Sequence, residues 1–371
     1  MKLTGLQIFW IIITFSVGNM MLLTVQPAIA TAKHDVWISY LLATIGGVLL
    51  VFIANKVALL YPKNTFIQYS KIILGKGFGT IIIFIFFIQW YSVIADILCE
   101  LADFVNTILL PTTPPWILHV TMLLLLMYVC YLGGIEGIAR CSEVFGPIIV
   151  ISIIGLLLVS IPNMQFDRVL PIYTETGMIP ILKGTLYPLT FLGECVVMLM
   201  LISFMDKPEK GTSRSLWGVA LTGLFLTIIA TSVIFVFGAQ IAMKLRFPAF
   251  DIIRYINVMN FIQNLEIVAV LIWALSAFVK LSVYFFLASY GTAQLFKVKD
   301  WRKMIWFVAA VSLIMAIVFT NLSIYGYKNL RVYWIPIVLP VNIVGIPLLL
   351  WVVGSIRKKL GKQRQGQTNS Q

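Results

Sequence analysis

Residues 277–286 read AFVKLSVYFF, setting one lysine, Lys280, inside a run that stays apolar from about residue 267 to about residue 290. Such a run is long enough to cross a bilayer. A charged amine at the centre of a membrane helix costs about 2.5–3.5 kcal/mol on insertion scales, so it must find an acid, a ring of dipoles or water. Two acidic groups are within reach of the same depth. Glu194 follows Gly193 at the midpoint of the run TLYPLTFLGECVVMLM. In QWYSVIADILCELADF, the residues Gln89, Ser92, Asp96, Glu100 and Asp103 recur at three- and four-residue steps and so share one helix face. Such a stripe of carboxylates must line water, meet cations or hold protons. Three roles are open to Lys280: internal cation or ion-pair partner of Glu194 or Asp96, direct ligand contact, or a side chain snorkelling to an interface.

Other chemistries lack their residues. The four cysteines, Cys99, Cys130, Cys141 and Cys195, have no CxxC or Cys/His spacing, and lone cysteines in apolar spans pack as small hydrophobes. His34 and His119 have no partner at metal-ligand spacing, and no GxxxxGK[ST], HExxH or GxSxG occurs. The expectation is a protein that is not an enzyme and holds neither metal nor cofactor.

The elements that must position these groups are membrane spans. The 371 residues are 60% hydrophobic and 11% charged, with a mean hydropathy of +0.99, whereas a soluble chain carries about 25% charged residues. Ten apolar runs are expected to cross the bilayer, at about 6–30, 37–60, 79–107, 116–134, 143–161, 184–205, 215–240, 267–292, 303–324 and 333–356. The first is too long, and too polar inside, for a cleaved signal peptide. Eighteen of the 27 Lys and Arg residues fall in segments on the same side as the N-terminus and eight on the other. The positive-inside bias therefore predicts both termini in the cytoplasm. The +13 net charge follows this topology rather than a nucleic-acid face. The domain expectation is one membrane unit over 1–357 and a polar, disordered tail over 358–371. KNTFIQYSKIILGK (63–76) reads as a short amphipathic inner helix. PAFDIIRYINVMNFIQ (248–263) reads as an outer cap, either a lid or a helix lying on the surface.

Two spans carry interruptions at matching places. Gly18 and Asn19 sit mid-run in span 1, and Pro188, Gly193 and Glu194 in span 6. Matched breaks point to a transporter-like all-α fold of two inverted five-helix repeats, about 6–161 and 184–356, with a ligand at the midplane between half-helices. Free N–H groups there suit a carboxylate and free carbonyls an ammonium, so a small nutrient such as an amino acid fits. The competing reading is that these glycines serve only close helix packing.

The ordered segments YPKNTFIQYSKIILGK, FDRVLPIYTETGMIPILKG, FLGECVVMLM and FPAFDIIRYINVMNFIQNLEIVAVLIW resemble those of the endospore germination permeases, the GerAB-type B subunits of nutrient germinant receptors, over nearly the full length. The resemblance implies the LeuT-type fold of the amino acid–polyamine–organocation superfamily. It also implies a place in the spore inner membrane, a small-molecule germinant, and A and C partner subunits. By position it puts the germinant pocket on Gly18, Asn19, Met20 and Met21 of span 1, Val93 of span 3, Leu192 and Gly193 of span 6, and Val279 with Lys280 of span 8, beside Glu194. In sodium-coupled carriers of this architecture a cation site lies between spans 1 and 8, where the Lys280 ammonium would stand. The bulky pair Met20–Met21 and the charge of Lys280 depart from the family pattern. Gln89, Asp96, Glu100 and Asp103 form the candidate polar pathway. The readings that follow are a germinant sensor, a proton-coupled amino-acid transporter working through Glu194 or Asp96, or an ion- or water-conducting subunit.

Overall fold

The structure is a computed structural model and describes residues 2–108, 110–173, 176–255 and 266–368. Among these, nine helices are long and apolar enough to cross a membrane. One of them, covering Pro115–Asn163, has 49 residues. At 1.5 Å per residue it is roughly twice as long as a bilayer core is thick, and it turns at Gly134, where φ is 51° and ψ −148°. It supplies spans 4 and 5, and the crossings number ten.

Span 1 is Gly5–Leu23 continued by Val25–Ala32, span 2 is Val36–Ala58 and span 3 is Lys76–Ile108. Span 6 runs Met178–Gly193 and on through short turns to Phe204, span 7 is Pro208–Ala242 and span 8 is Glu266–Leu295. Span 9 is Met304–Leu322, and span 10 begins at Tyr327 and ends at Thr368. The helix therefore continues through residues 358–368, where a disordered tail was expected. Its Lys, Arg and Gln residues are good helix formers and simply extend the span.

Even-numbered connections share an end with both termini. Lys2 pairs with Asp206 at 3.2 Å, Arg302 donates to the Tyr131 carbonyl, and Arg357 and Lys358 donate to the carbonyls of Ile72 and Leu60. The inner amphipathic helix is present as Phe66–Leu74, started by a Thr65–Gln68 capping box. The Tyr69 hydroxyl reaches the Leu199 carbonyl of span 6. At this end Leu3 exchanges backbone bonds with Phe204 and Asp206, at 2.7 and 3.0 Å, so spans 1 and 6 are tied together.

At the opposite, distal end the cap helix is Pro248–Tyr255; the rest of the expected cap, 256–263, lies outside the described residues. It is docked rather than lying loose. Phe104 of span 3 meets Phe247, Phe250 and Trp273 with ring centroids 5.8, 5.6 and 4.5 Å apart.

Span 1 packs on span 7, and span 6 on span 2, which are the exchanged pairs an inverted repeat requires. Both spans are interrupted, but not as expected. Gly5–Leu23 stays helical through Gly18 and Asn19 and is interrupted only at Thr24. At Gly18 the change is subtler. Ser276 of span 8 accepts from the Gly18 N–H at 2.8 Å and donates to the Thr14 carbonyl, bridging the two ends of one helical rung. A side chain inserted in this way is a recognised cause of local helix distortion. Only glycine leaves room for it: a Cβ on Gly18 would stand 2.5 Å from that of Ser276. Span 6 is overwound rather than unwound, with a 3-10 turn over Glu194–Val197 and another over Ile202–Phe204.

Span 10 holds an irregularity the sequence reading missed. Leu330–Gly345 is a π-helix containing Pro336 and Pro340. Each proline removes a donor and crowds the carbonyl four residues back, and the wider winding relieves that crowding. Gly345 accommodates it, because a Cβ there would lie 2.8 Å from the Pro340 carbonyl oxygen.

Gly18→Ala is expected to lower stability by about 1–3 kcal/mol through overpacking, whereas Gly155→Ala, whose Cβ would meet nothing within 4 Å, is expected to change little. Thermal unfolding of the two purified variants checks this; equal midpoints would contradict the insertion of Ser276 as the reason for Gly18.

Candidate functional site

Ser276, Lys280 and Tyr284 stand at four-residue steps on span 8 and face span 1 between Thr14 and Gly18 and the overwound turn of span 6. Lys280 is 2% exposed, and its ammonium donates to Glu194 Oε1 at 2.9 Å. The Tyr284 hydroxyl donates to Oε2 of the same carboxylate at 2.8 Å. Phe191 of span 6 and Phe15 of span 1 place their ring centroids 4.8 and 5.3 Å from the ammonium. The lysine is thus the ion-pair partner of Glu194, held between aromatic faces, and neither snorkels nor meets lipid. Both carboxylate oxygens have donors, the condition under which a buried pair is tolerated.

The polar stripe of span 3 faces span 10. Gln89 accepts from the Asn342 amide at 2.8 Å, and Ser92 lies 3.5 Å from the Tyr333 hydroxyl. Asp96 accepts from the Gly326 backbone N–H at 3.1 Å and the Trp334 indole at 3.3 Å. Tyr333, Trp334 and Asn342 all lie on the π-wound segment, so its unusual winding aims the partners of the stripe. Trp334 also stacks on Phe191, with centroids 6.3 Å apart, linking Asp96 to the Lys280 cluster through packed rings. Further out, Glu100 accepts from the Asn19 amide at 2.9 Å, and Asp103 forms an ion pair with Arg246.

A cleft of about 120 Å³ opens at the distal end above this stripe. Glu100 and Asp103 form one wall, Arg246, Phe247 and Lys328 another, and Leu22, Leu23, Tyr325 and Tyr327 complete it. The Tyr327 hydroxyl lies 2.9 Å from the Leu22 carbonyl and 2.7 Å from that of Arg246, joining span 1, the approach to the cap and the start of span 10. A wall with both signs of charge and two tyrosines suits a small zwitterionic or polar solute.

The structure gathers only part of the expected pocket. Lys280 with Glu194, and Asn19 with Glu100, are brought together. Gly18 is filled by Ser276, and Gly193 by Ile343 of span 10, whose Cγ2 would be 2.4 Å from an added Cβ. Leu192 packs onto Gly47 of span 2. Met21 lines a small apolar cavity with Ile153, Ile252 and Ile272 under the cap helix, away from the charges. Met20, Val93 and Val279 are core residues. For Gly18 and Gly193 the close-packing reading is the one the geometry supports. Among the described residues no three His, Cys, Asp or Glu side chains are grouped to hold a metal.

Tyr284 and Ser276 were missed, although their four-residue offsets from Lys280 were visible. Trp334, Asn342 and Arg246 had no such signal, since their partners lie some 140 to 250 residues away in sequence.

The pattern of a family described as "Spore germination protein" matches residues 2–324. Similar proteins include spore germination protein KB of Bacillus subtilis (strain 168), 25% identical over 97% of this chain and 96% of its own length. Another is spore germination protein YndE of the same organism, 28% identical over 72% and 74%. Among solved structures, Mhp1, a nucleobase-cation-symport-1 family transporter in a closed conformation with bromovinylhydantoin bound, superposes with a TM-score of 0.66 at 12% identity, covering 86% of this chain and 75% of that one. A substrate-bound, outward-open Na+-coupled sialic acid symporter gives 0.65 at 14% identity, covering 97% and 90%. At these identities the likeness fixes the fold, that of LeuT-type transporters with broken spans 1 and 6.

Lys280→Met leaves Glu194 buried with Tyr284 alone and is expected to cost about 3–5 kcal/mol, while Lys280→Met with Glu194→Gln recovers much of the loss. Thermal midpoints of single and double variants in one detergent check this, and a double variant no better than the single would refute the pairing as a stabilising unit.

Proposed function

Since this chain belongs to the spore germination protein family, we propose that it is the germinant-sensing membrane subunit of a spore nutrient receptor. The family and fold are those of membrane receptors and permeases, not of enzymes. In this reading the chain sits in the spore inner membrane with both termini toward the core. It binds a small nutrient such as an amino acid and acts with A and C partner subunits. The nutrient enters by the distal cleft and works on the mid-membrane junction of spans 1, 6 and 8.

The observation that carries the reading is the Lys280–Glu194–Tyr284 cluster at the overwound turn of span 6. It ties span 6 to span 8, while Ser276 ties span 8 to span 1, so a solute that moves one span must move three. Spans 1 and 6 are latched at the terminus end by Leu3, and the cleft opens at the other. A ligand with higher affinity for one arrangement shifts the population toward it, and partner subunits would read that shift.

A transporter reading draws on the same geometry, because neighbours of this fold include a Na+-coupled symporter and a protein in complex with L-phenylalanine. The two part experimentally. Sensing predicts saturable amino-acid binding without accumulation by vesicles containing this chain alone. It also predicts a germination response only when A and C subunits are co-expressed, with Glu194→Gln raising the required nutrient concentration at least tenfold when compared at matched membrane abundance. Concentrative uptake by the chain alone, lost in Glu194→Gln, would make it a transporter instead.

A further inference from the structure

Three carboxylates, Asp96, Glu100 and Glu194, lie within the membrane interior of the described residues, each at most 5% exposed, against one ammonium, Lys280. Lys280 is committed to Glu194 at 2.9 Å. Asp96 has a donor on each oxygen, as an ionised carboxylate requires. Glu100 is different. It receives one hydrogen bond, from Asn19 Nδ2 to Oε2. The other atom of that amide, Asn19 Oδ1, is buried with no donor among the described residues, and Asp96 stands one helical turn away. What Glu100 does expose opens on the distal cleft. The corner holds too many acceptors and too much negative charge for a low-dielectric interior.

The charges around Glu100 do not correct this. On its own span are Asp96 and, nearer the surface, Asp103, which pairs with Arg246. From spans 6 and 8 come Glu194 and Lys280, already joined to each other and to Tyr284. From the turn before span 10 comes Tyr325, and from the start of that span Tyr327 and the exposed Lys328. One added positive charge resolves the corner. A proton on Glu100 removes a negative charge and converts an acceptor into an O–H donor, and a turn of the Asn19 amide presents Oδ1 to receive it.

We propose that Glu100, supported by Asn19 and Asp96, is a binding site for one proton drawn from solvent in the distal cleft. The step is a simple association: the carboxylate takes a proton to become the carboxylic acid, with no other bond changed. Glu100 is also a wall of the cleft, so a solute carrying an ammonium to that wall competes with the proton. That corollary rests on the germinant reading; the site does not.

Infrared spectroscopy of the full-length protein in lipid nanodiscs at neutral pH tests the site. A protonated-carboxyl C=O band that shifts in D2O is expected; it is lost in Glu100→Gln, and in Asp96→Asn it persists but gives way at a lower pH, because one neighbouring negative charge is gone. Asn19→Leu, which keeps the acid and removes its partner, should move the band to the higher frequency of a carboxyl without a hydrogen bond. This variant carries the test if Glu100→Gln does not fold. A band lost in Asp96→Asn but kept in Glu100→Gln would overturn the proposal, as would the absence of any band. Titration with Na+ or K+ against choline closes the remaining route: saturable stabilisation lost in Glu100→Gln, without a carboxyl band, would replace the proton by a metal cation.

Discussion

A single ion pair in the middle of the membrane, Lys280 with Glu194, governs how this molecule is built. In hydrocarbon neither charge has water to fall back on, so separating them costs far more than it would at a surface. The pair fixes span 8 against span 6 at the level where span 6 tightens into a 3-10 turn. Phe15 and Phe191 close over the ammonium, bringing span 1 into the same unit. The part of the fold most irregular in backbone is thereby among the most constrained by side chains.

Around that pair the polar groups are arranged by depth. Just to the terminus side of mid-depth the Gln89–Asn342 contact is neutral and amide-to-amide. At mid-depth Asp96 is held by a backbone N–H and an indole. Toward the distal end Glu100 meets the cleft, and Asp103 finds Arg246 at its mouth. The series runs from sealed polar contacts to solvent-facing charge, with span 10 supplying most of the partners. Its π winding makes this possible, because two prolines in one turn widen the helix and reorient Tyr333, Trp334 and Asn342 toward span 3. Such windings recur at functional sites.

The two ends of the bundle are built differently. At the terminus end, backbone pairing of Leu3 with span 6 and the Lys2–Asp206 pair hold spans 1 and 6 together. At the distal end span 1 instead borders a solvent-sized cleft together with span 3, the approach to the cap helix and the start of span 10.

The sequence by itself determined the membrane class, the ten crossings and the inner and cap helices, because hydrophobic runs of fixed length and charge exclusion from lipid are local properties written residue by residue. It also pointed to an acidic partner for Lys280 but left Glu194 and Asp96 both open, and the packed structure pairs it with Glu194. It left the glycines open: Gly18 and Gly193 look identical in sequence whether they open a helix or admit a neighbour. Only the packed structure decided for the neighbour, by placing Ser276 and Ile343 against them. Tertiary structure likewise decided that Asp96 and Gln89 of the span 3 stripe meet Trp334 and Asn342, while Glu100 and Asp103 face the cleft. Those contacts join residues more than two hundred positions apart, and no local pattern specifies which faces meet until the helices are assembled.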